Sequence, residues 1–125
     1  MSLASPLVAL VDDDESVWES LPDLLREFGY SARAFSSARE FLESAAVDTT
    51  RCLIADIAMP GMTGPELYRE LEARGRAIPV IFITAHRDET TRTRLLAAGA
   101  VDCLYKPFSD TELQSALDAA AGRAQ

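Results

Sequence analysis

Five short apolar runs, separated by longer segments of helical period, constrain the fold of this chain more than any other feature. They are Pro6–Val11, Ser31–Phe35, Arg51–Ala55, Ile78–Ile83 and Val101–Tyr105. Such aliphatic and β-branched runs read as buried strands. Glu15–Phe28 puts Val17, Leu21, Leu24, Leu25 and Phe28 on one helical face, with Gly29 behind it as a C-cap. Pro22 lies inside that helix and lacks an N–H for the ladder, which predicts a local kink. A second helix begins with the capping-box pair Ser37 and Glu40 and turns Phe41 and Leu42 inward. A third opens at Gly64-Pro65 and runs to Ala73, with proline at the first helical position. A fourth spans Asp88–Ala98 and stops at Gly99. A fifth starts with Ser109 and Glu112, a second capping-box pair, and turns Leu113, Ala116 and Leu117 inward. Strand alternating with helix predicts an α/β fold, with right-handed crossovers and a parallel sheet covered on both faces. At 125 residues the chain holds one core, not two, so residues 1–125 are expected to form one domain.

In such a sheet, ligands bind outside the carboxyl ends of the strands. Asp12, Asp13 and Asp14 follow the first strand directly, Asp56 the third, Thr84 the fourth and Lys106 the fifth. Three adjacent carboxylates repel one another. Either a hard cation such as Mg²⁺ gathers them, or they cap a helix N-terminus and suit its dipole. Asp14, one step further on, reads as the cap. The four strand ends together suit phosphoryl transfer to a carboxylate. Asp56 is the candidate nucleophile, forming an acyl phosphate. Asp13 and Asp56 are candidate Mg²⁺ ligands, with Asp12 acting mainly through bound water. Lys106 is placed to pair with a phosphoryl oxygen and Thr84 to hydrogen-bond another. Positioning and charge stabilisation carry such chemistry, so no general base is required for attack.

A net charge of −8 argues against nucleic acid or an anionic membrane as a direct partner. No apolar stretch is long enough to span a bilayer, and no signal-peptide pattern is present. Cys52 and Cys103 lie in apolar runs and read as buried thiols of a reducing cytoplasm.

These residues resemble the receiver domain of bacterial two-component response regulators, from about Leu7 to Ala121. The motifs are Val11-Asp12-Asp13, Asp56 followed by Met59-Pro60-Gly61 and Gly64, Thr84-Ala85, and Lys106-Pro107-Phe108. The segments Phe82–His86 and Ala98–Asp102 look most like nitrogen-fixation-type regulators, which carry a helix-turn-helix DNA-binding domain after the receiver. The resemblance implies a flavodoxin-like, doubly wound (βα)5 sandwich with strand order 2-1-3-4-5. It implies Asp56 as phosphoacceptor, a Mg²⁺ site of Asp12, Asp13, Asp56 and the Ala58 carbonyl, Thr84 as switch hydroxyl and Lys106 as phosphate-binding lysine. A cis Lys106-Pro107 bond, a partner histidine kinase and a homodimer through the fourth helix, fifth strand and fifth helix follow from it as well. Strands three and five are not adjacent in that order, so Cys52 and Cys103 should not bridge.

One residue departs from the pattern. Cys103 stands three positions before the lysine, where the family usually has an aromatic switch residue. Tyr105 shares its face but is displaced by two positions and reads as a poor substitute. His86, the only histidine, lies beside the expected phosphoryl position. Arg87, Arg92 and Arg94 make the start of the fourth helix basic, and the absence of an apolar anchor from Glu89 to Arg94 predicts a mobile first half. Trp18 reads as a packing or partner-facing residue. An aspartyl-nucleophile phosphatase is a rival reading, countered by Ala58 where such enzymes place a second aspartate. A flavin module is another, countered by the acidic triplet. A stand-alone phosphorelay shuttle is an alternative to a receiver that controls transcription through an attached output domain. Met1-Ser2-Leu3 has the look of a cloning-derived leader.

Overall fold

In the computed structural model, which describes residues 5–123, the sheet contains β1 (Leu7–Val11), β2 (Ser31–Phe35), β3 (Thr50–Asp56), β4 (Val80–Thr84) and β5 (Asp102–Tyr105). All pairings are parallel and the order is β2-β1-β3-β4-β5, as the resemblance implies. The helices are α1 (Glu15–Glu27), α2 (Ala38–Leu42), α3 (Gly64–Ala73), α4 (Glu89–Ala97) and α5 (Asp110–Arg123). The leader expected at Met1-Ser2-Leu3 lies outside the described residues.

Strand alternation splits the core in two. Ala9, Val11, Leu53, Ala55, Val80, Phe82 and Cys103 face the side covered by Phe41, Leu67, Leu71 and Leu95 of α2, α3 and α4. Val8, Leu10, Cys52, Ile54, Ile81, Ile83 and Leu104 face α1 and α5, where Leu21, Leu25, Leu113 and Leu117 close the layer. Cys52 and Cys103 therefore sit on opposite faces as well as on separated strands, and both are free thiols.

Several boundaries differ from the sequence reading, for local reasons. β4 begins at Val80 rather than Ile78, because Pro79 has no N–H to donate to the ladder and contributes only its carbonyl, to Leu53 N–H at 2.9 Å. α1 continues through the buried Pro22 as one element. α2 is only 5 residues long, and a 3₁₀ turn at Ala45–Asp48, capped by Ser44, follows it. The Ser37 box is one-armed: Ser37 Oγ accepts from Glu40 N–H at 3.1 Å, but the Glu40 carboxylate accepts from Ser36 Oγ. The Ser109–Glu112 box has both arms, each at 3.0 Å. α3 carries another, with Thr63 as N-cap and Glu66 answering it. Gly29 and Gly99 end α1 and α4 at φ of 95° and 113°, a region costly for any residue with a Cβ. Trp18 is half-buried beside α1's core stripe, and its indole N–H has no hydrogen-bond partner among the described residues.

Candidate functional site

Because all five strands run the same way, their carboxyl ends form one rim. Asp12 follows the last residue of β1, Asp56 ends β3, Thr84 ends β4 and Lys106 follows β5. Strand parity then sorts them. Asp12 continues the row of Val8 and Leu10, Asp56 that of Cys52 and Ile54, and Lys106 that of Leu104, all on the α1/α5 side. Thr84 continues Val80 and Phe82 on the α3/α4 side. The two carboxylates and the ammonium thus leave the sheet on one side and the threonine on the other.

Asp12 is 0 % exposed and Asp56 8 %. One carboxylate oxygen from each of Asp12, Asp13 and Asp56 lies within 4.8 Å of the others. Lys106 Nζ donates to Asp12 Oδ2 at 2.9 Å and stands 3.9 Å from Asp56 Oδ2. Asp12 Oδ1 accepts from Asp14 N–H at 2.8 Å, so each oxygen of the buried carboxylate is engaged. Burial pushes the Asp56 carboxyl up to about 6, and the nearby Asp12 charge adds to the rise, while Lys106 and a backbone hydrogen bond from Ala58 oppose it. Clustered oxygen donors of this kind fit a hard divalent cation, which would neutralise the repulsion that raises Asp56.

Asp14 does not join the cluster. It is the N-cap of α1, accepting from Ser16 N–H at 3.0 Å and Ser16 Oγ at 2.8 Å, and these bonds hold its carboxyl below its ordinary range. Thr84 Oγ1 accepts from His86 N–H at 3.1 Å, so its hydroxyl is engaged with the loop leading to α4. Ala58, Thr84, His86 and Cys103 help to line a small cavity of about 100 Å³ under that loop. The Lys106-Pro107 peptide is cis, as expected.

Two residues make contacts that the sequence reading did not give them. Gly64 marks the start of α3 in sequence, but the structure also packs its Cα against the chain at Asp56. A Cβ there would collide with the Asp56 carbonyl oxygen and lie 3.2 Å from the Ile57 Cα. Gly64→Ala should therefore cost about 1–3 kcal/mol by overpacking against backbone. A denaturant midpoint equal to the parent's would refute this. The second residue is Tyr105. Its phenol donates to Glu89 Oε1 at 2.9 Å, and the Arg87 guanidinium lies 4.8 Å from its ring centroid. Neither partner is readable from sequence spacing.

The comparisons with known proteins agree with this geometry. The family model of the response regulator receiver domain matches residues 8–118, and the chain belongs to that family. It is 44 % identical over 117 residues to Nodulation protein W of Bradyrhizobium diazoefficiens, covering 94 % of this chain and 52 % of that protein. It is 41 % identical over 120 residues to response regulator protein TodT of Pseudomonas putida, covering 96 % of this chain and 53 % of that protein. The crystal structure of FixJ-N superposes with a TM-score of 0.82 at 37 % identity, over 98 % of this chain and 96 % of that one. The chain spans about half the length of the curated relatives it matches. No helix among the described residues is long and apolar enough to cross a membrane.

Proposed function

We propose that this chain acts in the cytoplasm, where Asp56 accepts a phosphoryl group from the phosphohistidine of a sensor kinase, and that the added charge resets the surface of α4. One observation carries the reading: a nearly buried Asp56 carboxylate shares a pocket with a second, fully buried carboxylate and a single ammonium. A carboxylate oxygen of Asp56 bonds to phosphorus as the phosphorus–nitrogen bond breaks, and the bond's electron pair leaves with the imidazole. Lys106 would then shift its donation from Asp12 towards a phosphoryl oxygen, and Thr84 would leave the His86 backbone for another. Asp12, Asp13, Asp56 and the Ala58 carbonyl would hold Mg²⁺, which supplies positive charge opposite the incoming phosphoryl oxygens. Residues 1–125 act in this reading as one receiver domain, without turnover of outside substrates.

A groove of about 640 Å³ beside the pocket suits the kinase. Val17, Leu21 and Leu24 of α1 form one wall, with Pro107 and Phe108 opposite and Lys106 at its inner end. Asp14, Ser16, Ser20 and Asp110 add polar groups to its lining, and Lys106 is shared with the Asp56 pocket. By analogy with the regulators it resembles, the chain would control transcription through an output domain. Homodimerisation through α4, β5 and α5 follows from the family resemblance alone, since Arg92 and Asp102 of that face pair within the chain.

The test uses acetyl phosphate as the donor. With Mg²⁺ present, mass spectrometry should show one added phosphoryl group, labile to hydroxylamine, and chelation with EDTA should abolish it. Uptake that persists in EDTA, or a label that resists hydroxylamine, would sink the reading.

A further inference from the structure

α4 is an unusual helix to serve as a signalling element, because its apolar anchoring is so sparse. Leu95 is its only buried residue, and it lies in the second half. Polar tethers hold the first half instead. Asp88 caps the helix through Thr90 N–H and Thr91 N–H. Arg92 reaches across to β5, donating to the Cys103 carbonyl at 3.2 Å and to Asp102 Oδ1 at 3.1 Å. The Tyr105 phenol bonds Glu89, and Arg87 covers its ring. Arg87 and Glu89 are the two residues flanking the Asp88 cap, so one side chain of β5 holds the helix start from both sides.

Tyr105 is also the register partner of Thr84 across β4 and β5. Paired residues of neighbouring strands point to the same face, so the Tyr105 and Thr84 side chains leave the sheet on the same side. Between Thr84 and the cap lies only the short loop whose His86 N–H the Thr84 hydroxyl accepts. Phe82 is the register partner of Cys103, one layer deeper, where a buried thiol has no ring to move.

We propose that Tyr105, through its joint hold on Arg87 and Glu89, is the latch that couples the Thr84 hydroxyl to the start of α4. The latch rests on the phosphoacceptor reading above. In the resting state Thr84 fixes the loop at His86, and Tyr105 meets the next residue, Arg87, and Glu89 on the other side of the cap. When Thr84 leaves His86 for the phosphoryl group, the loop shifts, and Arg87 and Glu89 can no longer both meet Tyr105. The ring is freed and the first turn of α4 loosens. Tyr105 is a positioning residue in this scheme and touches no reacting atom.

The experiment compares amide hydrogen exchange over residues 86–92 with and without Mg²⁺ and beryllofluoride, a phosphoryl mimic. The fluorine NMR signal of the bound mimic reports separately whether Asp56 is loaded. In the parent protein, loading should raise exchange in this segment. Tyr105→Phe keeps the ring over which Arg87 lies but removes the bond to Glu89. It should raise unloaded exchange about two- to five-fold, the scale of one partly exposed charge-assisted hydrogen bond, and shrink the further rise on loading. Glu89→Ala should do the same, and the double variant should add little to either. Parent-like exchange in both single variants, unloaded and loaded, with a normal fluorine signal, would overturn the latch alone. No bound fluorine signal in the parent protein would overturn the phosphoacceptor reading, and the latch with it.

Discussion

Asp56→Asn is expected to lose all phosphoryl uptake and, in the same molecule, to gain stability at neutral pH when no metal is bound. Loss of uptake follows because an amide cannot form the acyl phosphate and neighbouring Asp12 is fully buried. The gain in stability comes from the carboxylate's position. The Asp56 carboxyl titrates from 3.8 in the open chain to about 6 in the fold, raised first by burial and then by Asp12. A folded-state value above the unfolded one means the protonated form is favoured by folding. Its contribution is fully present below about pH 4, declines as pH rises towards 6, and is gone above that. From there upward the ionised parent carries a constant penalty, roughly 1–3 kcal/mol after allowing for relaxation around the site. Asparagine never ionises. Urea denaturation in EDTA should therefore show the variant ahead at pH 8 and the two proteins converging near pH 4. Saturating Mg²⁺ should narrow the gap at pH 8 by stabilising the parent. Equal midpoints at pH 8 in EDTA would contradict the electrostatic account, and uptake by the variant would contradict the assignment of Asp56.

The order of elements and the rim residues were legible because both follow from short-range patterns. Apolar runs, capping residues and the carboxyl ends of parallel strands are written locally, and Asp12, Asp56 and Lys106 meet because the topology rule brings their strand ends together. The division of the acidic triplet was legible too: Asp14 caps α1 and stays outside the cluster. What escaped depends on contacts between distant segments. That Gly64 must lack a Cβ is set by how closely α3 approaches the Asp56 carbonyl, which no residue near position 64 encodes. Tyr105 looked like a poor substitute for a buried aromatic, because its spacing says nothing about Arg87 and Glu89 across the strand–helix gap. The first half of α4 was expected to be mobile for want of apolar anchors. Sparse anchoring is what the structure has, but the Arg92, Asp88 and Tyr105 bonds add polar tethers that hydrophobic patterning cannot register.

Lys106→Ala should be the most destabilising single change at the rim, at about 3–5 kcal/mol in metal-free protein at neutral pH. Lys106 is the chain's only lysine among its 12 basic residues, and it is the cation that both rim carboxylates face. Removing it leaves the fully buried Asp12 with the Asp14 N–H and a second carboxylate close by. The large cost is that of an uncompensated buried charge, rather than the net worth of the ion pair. The distinction is measurable. If it holds, Asp12→Asn in the Lys106→Ala background should recover much of the loss, since the neutral amide needs no counter-charge, and Mg²⁺ should recover part of it in the single variant. If the lysine instead stabilises through packing of its stem, the double variant should be no better than the single one. Lys106→Arg separates charge from shape. A guanidinium restores the positive charge but brings a planar fork where one ammonium now donates to Asp12 at 2.9 Å and faces Asp56 at 3.9 Å. Stability should return in part while phosphoryl uptake from acetyl phosphate stays well below the parent's, because the compact ammonium must release one oxygen and take another within the same small pocket.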